Sequence, residues 1–331
     1  MNYIIHITHL IKNLIQWTNI SLARARDLGR APNWKSKTMS WIKGKICIIT
    51  GSNSGIGKET AIALARMGAT IIMVVRDRER GEKARTEIVK QTGNASVDLM
   101  ICDLSSMDSI RHFAEEFKKK YDRLDVLINN AGASFSKREV TSEGFERNFA
   151  VNYLGPFLLT HELLDLLKSS APSRIINVSS GLAKNGKVDL DDLQSEKNYK
   201  GTKFYSPSRS PGYDNAKLML MMFTYELARR LNGSGVTVNV LTPGFTATNL
   251  GRSSGSLVSY IMFKMVRPMQ QSAKKGAETS IYLASSDEVK DVTGKCFAKK
   301  KEVKTCPVSY DEELQKRLWD ETEHMLGLAP D

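Results

Sequence analysis

A tyrosine and a lysine stand four residues apart in the segment YDNAK, as Tyr213 and Lys217. On a helix, side chains at positions i and i+4 lie on the same face. A cation within about 4–6 Å of a phenol lowers its pKa, which is ordinarily about 10. The pair could therefore act as a tuned proton donor. The spacing alone decides nothing, because Tyr and Lys four apart are also common on ordinary amphipathic helices.

A glycine-rich turn, TGSNSGIG, ends the first apolar run and opens a helical segment. Glycines at such a turn allow the backbone to approach a pyrophosphate at the N-terminus of a helix. The spacing is G-x-x-x-G-x-G and not the commoner G-x-G-x-x-G. The turn predicts a nucleotide site, with candidate cofactor-binding residues Gly51, Ser52, Asn53, Ser54, Gly55, Ile56 and Gly57.

Short apolar runs alternate with longer amphipathic ones from residue 45 onward. Six runs are strand candidates: ICIIT, TIIMVV, VDLMI, LDVLI, RIINV and VTVNVL. Helical stretches of roughly 10–25 residues separate most of them, which predicts a parallel sheet with helices on both faces. We therefore expect one α/β domain, a Rossmann-type doubly wound parallel sheet over residues 43–328. Its tail, from residue 310 to 328, is expected to be an amphipathic helix.

The end of the second strand bears on the choice of cofactor. An acid at this place binds the 2′-hydroxyl of NAD, whereas an Arg accommodates the 2′-phosphate of NADP. The strand runs to Val75 and Arg76 follows at once. This order favours NADP(H). Asp77 is the rival residue for NAD, and an Arg76 that is only a solvated charge would leave the choice open.

Composition narrows the class of protein. The chain has 331 residues, of which 41% are hydrophobic and 25% charged, so disorder is not expected as its main state. The formal charge is +12, but eight basic residues and one acid fall within residues 1–45. No aromatic-rich basic motif accompanies the charge, so no nucleic-acid partner is expected. The four cysteines have no metal-binding spacing, so no metal is expected, and Cys47 and Cys102 are predicted to be buried.

Residues 1–42 form a separate, basic and amphipathic N-terminal extension. Ile4, Ile7, Ile11 and Leu14 recur at helical spacing, with polar residues between them. Two interpretations are an interfacial anchor that gives peripheral membrane contact through residues 1–30, and a transit peptide. An ordinary helix packed on the core remains an alternative, as does translation from Met39.

Seven motifs occur in an order that resembles the short-chain dehydrogenase/reductase family. They are TGSNSGIG, CDL at 102–104, NNAG at 129–132, VNYLG at 151–155, NVSS at 177–180, YDNAK, and TPGFTAT at 242–248. The resemblance covers about residues 43–300. The segments RDRERGEKA, DLDDLQSEKNY and RLWDETEHMLGL also resemble the retinol dehydrogenase branch. A membrane-associated enzyme is expected, at the endoplasmic reticulum or alternatively in the mitochondrion or cytoplasm.

The resemblance implies roles for four catalytic residues. Tyr213 would protonate the developing alkoxide, and Lys217 would bind the nicotinamide ribose and lower the pKa of Tyr213. Ser180 would hydrogen-bond the substrate oxygen, a role for which Ser179 is the weaker candidate. Asn152 would distort its helix and hold a water that links Lys217 to solvent.

The resemblance also implies further cofactor contacts. Asp103 and Leu104 would flank the adenine, and Asn129, Ala131 and Gly132 would line the cleft beside the ribose. Pro243, Gly244 and Thr248 would lie over the nicotinamide. A purely structural role for the Asn129 and Asn130 amides is the alternative.

One departure from the family pattern is the distance between Ser180 and Tyr213. The 33-residue step crosses a polar loop, residues 181–212, which is expected to be an excursion at the substrate entrance. Tyr205 is a decoy because Arg209, not Lys, stands four residues later. The apolar segment 249–271 is either a substrate-covering lid or a surface helix. The run LMLMMF at 218–223 predicts core or homodimer packing, with substrate contact as the alternative.

These observations predict an NADP(H)-dependent oxidoreductase that interconverts a carbonyl and an alcohol on an apolar substrate. Retinal/retinol is the first expectation, and a steroid or lipid aldehyde is the second. A non-catalytic NADP-binding sensor on the same fold is the main rival. An interaction protein that works through residues 1–45 is a further one.

Overall fold

A mostly parallel sheet organises the domain. The computed structural model describes residues 41–197, 199, 211–244 and 271–329. Within them the sheet has eight strands in the order β3-β2-β1-β4-β5-β6-β7-β8, and only the β7–β8 pair is antiparallel. The strands are β1 Ile46–Thr50, β2 Thr70–Val75, β3 Val97–Ile101, β4 Val126–Asn129, β5 Ser173–Val178, β6 Val236–Leu241, β7 Lys295–Ala298 and β8 Lys301–Glu302.

Helices connect the parallel strands, so the predicted α/β class is confirmed. The described helices are α1 Gly55–Arg66, α2 Arg78–Thr92, α3 Met107–Lys120, α4 Arg147–Phe149, α5 Gly155–Glu162, α6 Leu164–Ser169, α7 Pro211–Arg230, α8 Ala273–Ser285 and α9 Glu312–Leu326. A π-helical turn, Ala150–Leu154, lies between α4 and α5. Within the described ranges, no helix is both long enough and apolar enough to cross a membrane.

The strand order places a cleft at the carboxyl end of β1. Strand β1 pairs with β2 on one side and with β4 on the other, so the chain reverses its direction of winding there. Ligands of open α/β sheets bind at such switch points, outside the carboxyl ends of the strands. The glycine-rich turn after β1 and the NNAG segment at the end of β4 both lie at this edge. The fold therefore brings the two predicted cofactor segments together.

Helix α9 packs across α5 and α7, as the amphipathic tail predicted. The Trp319 ring lies 4.8 Å from that of Phe157 and 5.7 Å from that of Phe223, measured between centroids. The Tyr153 and Thr322 hydroxyls are 2.7 Å apart. This aromatic contact buries the Met-rich run of α7, whose six residues are all in the core. The core-packing prediction for residues 218–223 is therefore confirmed.

Residues 1–40, almost the whole N-terminal extension, lie outside the described residues. Its last two residues pack on the domain: Ile42 is fully buried and the Arg174 guanidinium lies 4.0 Å from the Trp41 ring. The predicted burial of Cys47 and Cys102 is confirmed. Strands β7 and β8 were not predicted, because their four and two residues are too short to form a periodic signal.

Candidate active site

Tyr213 and Lys217 lie in the first turns of α7, which begins at Pro211. Proline suits the first position of a helix because its missing N–H would have no helical partner there. Both side chains are buried, and the Lys217 Nζ lies 5.9 Å from the centroid of the Tyr213 ring. The helix thus places both residues on one face, as their spacing predicted.

The Lys217 ammonium is held inside the protein by the end of β5. Its Nζ donates a hydrogen bond to the carbonyl oxygen of Val178 over 2.9 Å. The Ser179 hydroxyl donates to the backbone carbonyl of Lys217 over 2.7 Å, so Ser179 serves the backbone of α7. Burial disfavours the charged form and lowers the pKa of Lys217 to about 7.

The surroundings of the Tyr213 phenol act on its pKa in both directions. Burial raises its pKa to about 12, a hydrogen bond with the Ser180 side chain acts in the opposite sense, and the charge of Asp214 raises it further. Lys217, whose Nζ donates to the Val178 carbonyl, is not among the groups that shift this pKa. The roles of Tyr213 as proton donor and of Lys217 as its partner stay predictions.

Asn152 lies within the π-helical turn. Its Nδ2 donates to the carbonyl oxygen of Asn148 over 2.9 Å and to that of Ala133 over 2.8 Å. The Asn148 carbonyl is the one that the N–H of residue 152 would bind in a regular α-helix, so the side chain replaces the backbone there. A Cβ atom at Gly132 would lie 3.0 Å from Asn152 Oδ1 and 3.3 Å from Lys217 Nζ. Gly132, Asn152 and Lys217 therefore meet at one point.

The glycine-rich turn is closed against the NNAG segment. Gly51 has a φ of 67°, a conformation that strongly favours glycine. A Cβ atom at Gly57 would lie 2.4 Å from the Asn130 amide nitrogen and 2.6 Å from the Gly51 carbonyl oxygen. Asn130 itself donates to the Thr50 carbonyl over 2.7 Å, and the Ala131 N–H donates to the Thr50 hydroxyl over 2.9 Å. The close approach of backbones leaves no room for larger side chains at this turn.

The N-terminus of α1 has the chemistry of a phosphate site. Ser52 is fully buried, and its hydroxyl has no hydrogen-bond partner among the described residues. Ser54 is the N-cap residue of α1, and within the same part of the chain its side chain caps no N–H. Free amides at a helix N-terminus together with a buried, unpaired hydroxyl suit an anion. The turn fits the pyrophosphate of a dinucleotide.

The two candidate ribose residues after β2 differ in what they contact. The Asp77 carboxylate accepts a hydrogen bond from the N–H of Arg80 over 3.0 Å and caps α2. Arg76 is exposed and, within the described part of the chain, forms no ion pair or hydrogen bond. The acid is therefore engaged in its own helix, and the cation next to the cleft is not.

The remaining predicted contacts take different positions. Asp103 accepts hydrogen bonds from the N–H and the hydroxyl of Ser105, and Leu104 is nearly buried. Asn129 is buried, and its amide donates to Thr160 over 3.0 Å and to Asn177 over 2.8 Å. Its amide nitrogen therefore has the structural role left open above, whereas its buried Oδ1 has no hydrogen-bond partner among the described residues.

Some of the residues predicted to lie over the nicotinamide are outside the described residues. Pro243 and Gly244 follow β6, and Gln271 donates a hydrogen bond to the Pro243 carbonyl. Thr248 and the apolar segment from 249 to 270 fall outside the described ranges, as do residues 200–210 of the long loop. Among the residues that are described, no three His, Cys, Asp or Glu side chains converge as a metal-binding group does.

A buried polar cluster beside the site was not found from the sequence. It consists of Glu146, Asn148 and Tyr199, with the first two fully buried. The available signal was the polar spacing of Glu146 and Asn148 between Phe145 and Phe149. Polar residues at a helix start are so common that this signal singles out no site.

Comparison with known proteins decides the family. The profile described as short chain dehydrogenase matches residues 45–191. Human retinol dehydrogenase 14 is 45% identical over 307 residues, which cover 86% of this chain and 87% of that protein. Human retinol dehydrogenase 13 is 44% identical over 291 residues, which cover 87% of this chain and 86% of that protein. The chain belongs to the short-chain dehydrogenase family, in its retinol dehydrogenase-like branch.

Solved structures agree with this assignment. An uncharacterised protein from Mycobacterium paratuberculosis is 30% identical with a TM-score of 0.68, covering 88% of this chain and 97% of that one. RhlG from Pseudomonas aeruginosa, solved as a complex with NADP, is 25% identical with a TM-score of 0.62, and the match covers 79% of this chain and 97% of RhlG. The family and the relatives together make this chain an oxidoreductase that interconverts a carbonyl and an alcohol.

The buried Lys217 predicts a pH-dependent stability. Its pKa falls from 10.5 to about 7 on folding, so between these values the unfolded chain holds a proton that the folded protein has released. Stability therefore rises with pH across this window and is lowest below pH 7. We expect Lys217→Met to remove this dependence. The difference in Tm, variant minus wild type, should be several degrees more positive at pH 6 than at pH 10.

Differential scanning fluorimetry at matched ionic strength measures this difference. The control is Lys90→Met, which removes an exposed lysine from α2. A Tm difference for Lys217→Met that does not change with pH would show that the ammonium is not desolvated.

Proposed function

We propose that this protein is an NADP(H)-dependent enzyme that reduces an apolar carbonyl compound, with retinal as the first substrate to test. The observation that carries the proposal is the meeting of four side chains at the carboxyl edge of the sheet. The Ser180 side chain lies close enough to Tyr213 to lower its pKa, Lys217 lies one helical turn away from Tyr213, and Asn152 meets Lys217 beside Gly132. A protein that only senses a nucleotide has no need of this set.

The proposed chemistry separates a hydride from a proton. A bound nicotinamide cofactor supplies the hydride to the carbonyl carbon. Tyr213 gives its phenolic proton to the carbonyl oxygen, and Ser180 orients that oxygen by a hydrogen bond. The high pKa of Tyr213 keeps the phenol protonated at neutral pH, which suits reduction more than oxidation. Lys217 binds the nicotinamide ribose, and Asn152 holds the backbone of residue 133 next to it.

The choice of NADP(H) is supported by the end of β2. Asp77 is engaged as the N-cap of α2, whereas the Arg76 guanidinium is exposed at the position where a 2′-phosphate would lie. The NADP complex of a structural relative, RhlG, is consistent with this choice. The turn from Gly51 to Gly57 binds the pyrophosphate in this proposal. Asp103 and Leu104 lie beside the adenine, and Ala131 and Gly132 beside the ribose.

The apolar substrate is supported by the relatives and by one side chain. Two relatives at 44–45% identity are named retinol dehydrogenases. Leu182 is 40% exposed, and its N–H donates to the Ser180 hydroxyl over 3.2 Å, so an exposed apolar residue is attached to the serine proposed to bind the substrate oxygen. A steroid or lipid aldehyde is the second candidate. Peripheral membrane contact through residues 1–30, a membrane-associated location and a homodimer remain part of the proposal.

Replacement of Tyr213 tests the proposed reaction. Tyr213→Phe removes the proton donor and keeps the ring, so kcat for NADPH-driven reduction should fall about 10²–10⁴-fold. NADPH binding, followed by its fluorescence, should change by less than about threefold, because the hydroxyl adds little to ground-state affinity. Retinal, a steroid ketone and a medium-chain aldehyde are the substrates to compare.

Tyr225→Phe is the matched control, since Tyr225 lies on the same helix and bonds Thr305, away from the site. It should retain the wild-type kcat. Tight NADPH binding by the wild type without turnover of any carbonyl would favour the sensor hypothesis. Full activity in Tyr213→Phe would contradict the assigned proton donor.

Replacement of Arg76 tests the cofactor. A charge-assisted hydrogen bond to a phosphate contributes about 1.5–3 kcal/mol, so Arg76→Ala should raise KM for NADPH about 10–100-fold. KM for NADH, which has no 2′-phosphate, should change little. Arg80→Ala is the control, because Arg80 lies in the first turn of α2, four residues after Arg76, and pairs with Asp77. Equal effects of Arg76→Ala on both cofactors, or a wild type that prefers NADH, would show that Arg76 does not read the phosphate.

A further inference from the structure

The Tyr199 hydroxyl joins three segments that surround the candidate site. It lies 2.8 Å from the carbonyl oxygen of Phe135, 2.9 Å from that of Lys137 and 3.2 Å from Glu146 Oε1. The Asn148 amide donates to it over 2.8 Å. A hydroxyl has one hydrogen, so it donates to one of these three oxygens at a time while it accepts the hydrogen bond from Asn148. Tyr199 thereby ties the long loop to the segment after β4 and to the start of α4.

Glu146 fixes the start of the helix that carries Asn152. Its Oε1 accepts a hydrogen bond from the Asn148 N–H over 2.9 Å, and its Oε2 accepts one from the Phe149 N–H over 2.8 Å. The side chain is fully buried, and burial raises its pKa. Its own N–H donates to the side chain of Gln194, which is on the long loop, over 2.9 Å. A buried carboxylate with these partners holds the helix start in one place.

This cluster packs against the segments that carry the candidate catalytic residues. The Asn148 carbonyl accepts the Asn152 amide, and the Asn148 Oδ1 accepts the Phe135 N–H over 2.9 Å. A Cβ atom at Gly212, the residue before Tyr213, would lie 3.1 Å from the Tyr199 ring and 3.3 Å from Glu146 Oε2. The cluster is therefore in contact with the π-helical turn on one side and with the start of α7 on the other.

The long loop is also attached to α7 directly, through the YDNAK motif. The Asn215 side chain accepts a hydrogen bond from the Lys187 N–H over 2.8 Å and donates one to the Ser195 hydroxyl over 3.2 Å. A Cβ atom at Gly186 would lie 2.5 Å from the Asp214 carbonyl oxygen. The described part of the loop is thus a docked component of the site and not a free excursion.

We propose that Tyr199 and Glu146 are positioning residues for the candidate active site. Together they set the distance between the π-helical turn with Asn152, the wall after Gly132, and the first turn of α7 with Tyr213. Neither side chain touches the reacting atoms; each acts through Asn148 and Gly212. The inference rests on the proposed function for its kinetic effect, but its structural part is testable without turnover.

The test compares Tyr199→Phe with Tyr282→Phe. Tyr282 lies on α8 and is the matched control, because its hydroxyl also donates a hydrogen bond to a carboxylate, that of Glu288, over 2.9 Å. Two quantities are measured: the kinetics of retinal reduction with NADPH, and amide hydrogen exchange of peptides covering residues 133–152 by mass spectrometry. We expect Tyr199→Phe to lower kcat about 10–100-fold with KM for NADPH changed less than threefold. Exchange of these peptides should accelerate in Tyr199→Phe and remain unchanged in Tyr282→Phe.

Glu146→Gln is the second variant, since it keeps the size of the side chain and one acceptor oxygen. It should accelerate exchange in the same peptides. Unchanged kcat in Tyr199→Phe overturns the proposal even if exchange accelerates, because the cluster would then be a structural anchor only. If the wild type reduces no carbonyl, the proposed function fails and the exchange comparison tests only the structural part of the inference: acceleration confined to Tyr199→Phe and Glu146→Gln shows that the cluster holds residues 133–152 in place, and unchanged exchange overturns the inference.

Discussion

The burial of the Lys217 ammonium is the constraint on which the rest of the site depends. A charged group that leaves water is unfavourable unless it is paired or hydrogen-bonded, and here one backbone carbonyl, that of Val178, lies within 2.9 Å. The position is held because α7 is packed on all sides. The sheet lies on one side, and the aromatic contact of Trp319 with Phe157 and Phe223 lies on the other. Core packing far from the cleft thus keeps a polar group in an apolar place.

Close packing also explains why small residues line the cleft. Gly132 leaves room for Asn152 and Lys217, and Gly57 leaves room for Asn130 and the Gly51 carbonyl. The π-helical turn gives up a regular backbone hydrogen bond so that the Asn152 amide can bind two carbonyls. These glycines and this π-helical turn lie at the carboxyl edge of the sheet. Departures from regular structure cluster where a fold carries out its chemistry.

Much of this arrangement follows from the sequence. Apolar runs of five or six residues predicted the first six strands, and the i, i+4 spacing placed Tyr213 and Lys217 on one helix face. Strands β7 and β8 were missed because they have only four and two residues. The effect of burial on the pKa of Tyr213 could not be predicted, since spacing indicates the neighbour at i+4 but not how deeply both groups are buried. The cluster of Glu146, Asn148 and Tyr199 joins residues over 50 positions apart, which no local pattern reveals.

The central claim is that Tyr213 works as a buried, protonated donor. The most direct measurement is the pH dependence of kcat for NADPH-driven reduction of retinal, from pH 6 to 11, with Tyr213→Phe run in parallel. If the account holds, the wild-type rate stays level through neutral pH and does not begin to fall below about pH 10, because a phenol with a pKa of about 12 still holds its proton there. The residual rate of the variant stays far lower over the whole range. A wild-type rate that rises steadily between pH 6 and 9 would mean that the active form is the deprotonated one, and would contradict the account.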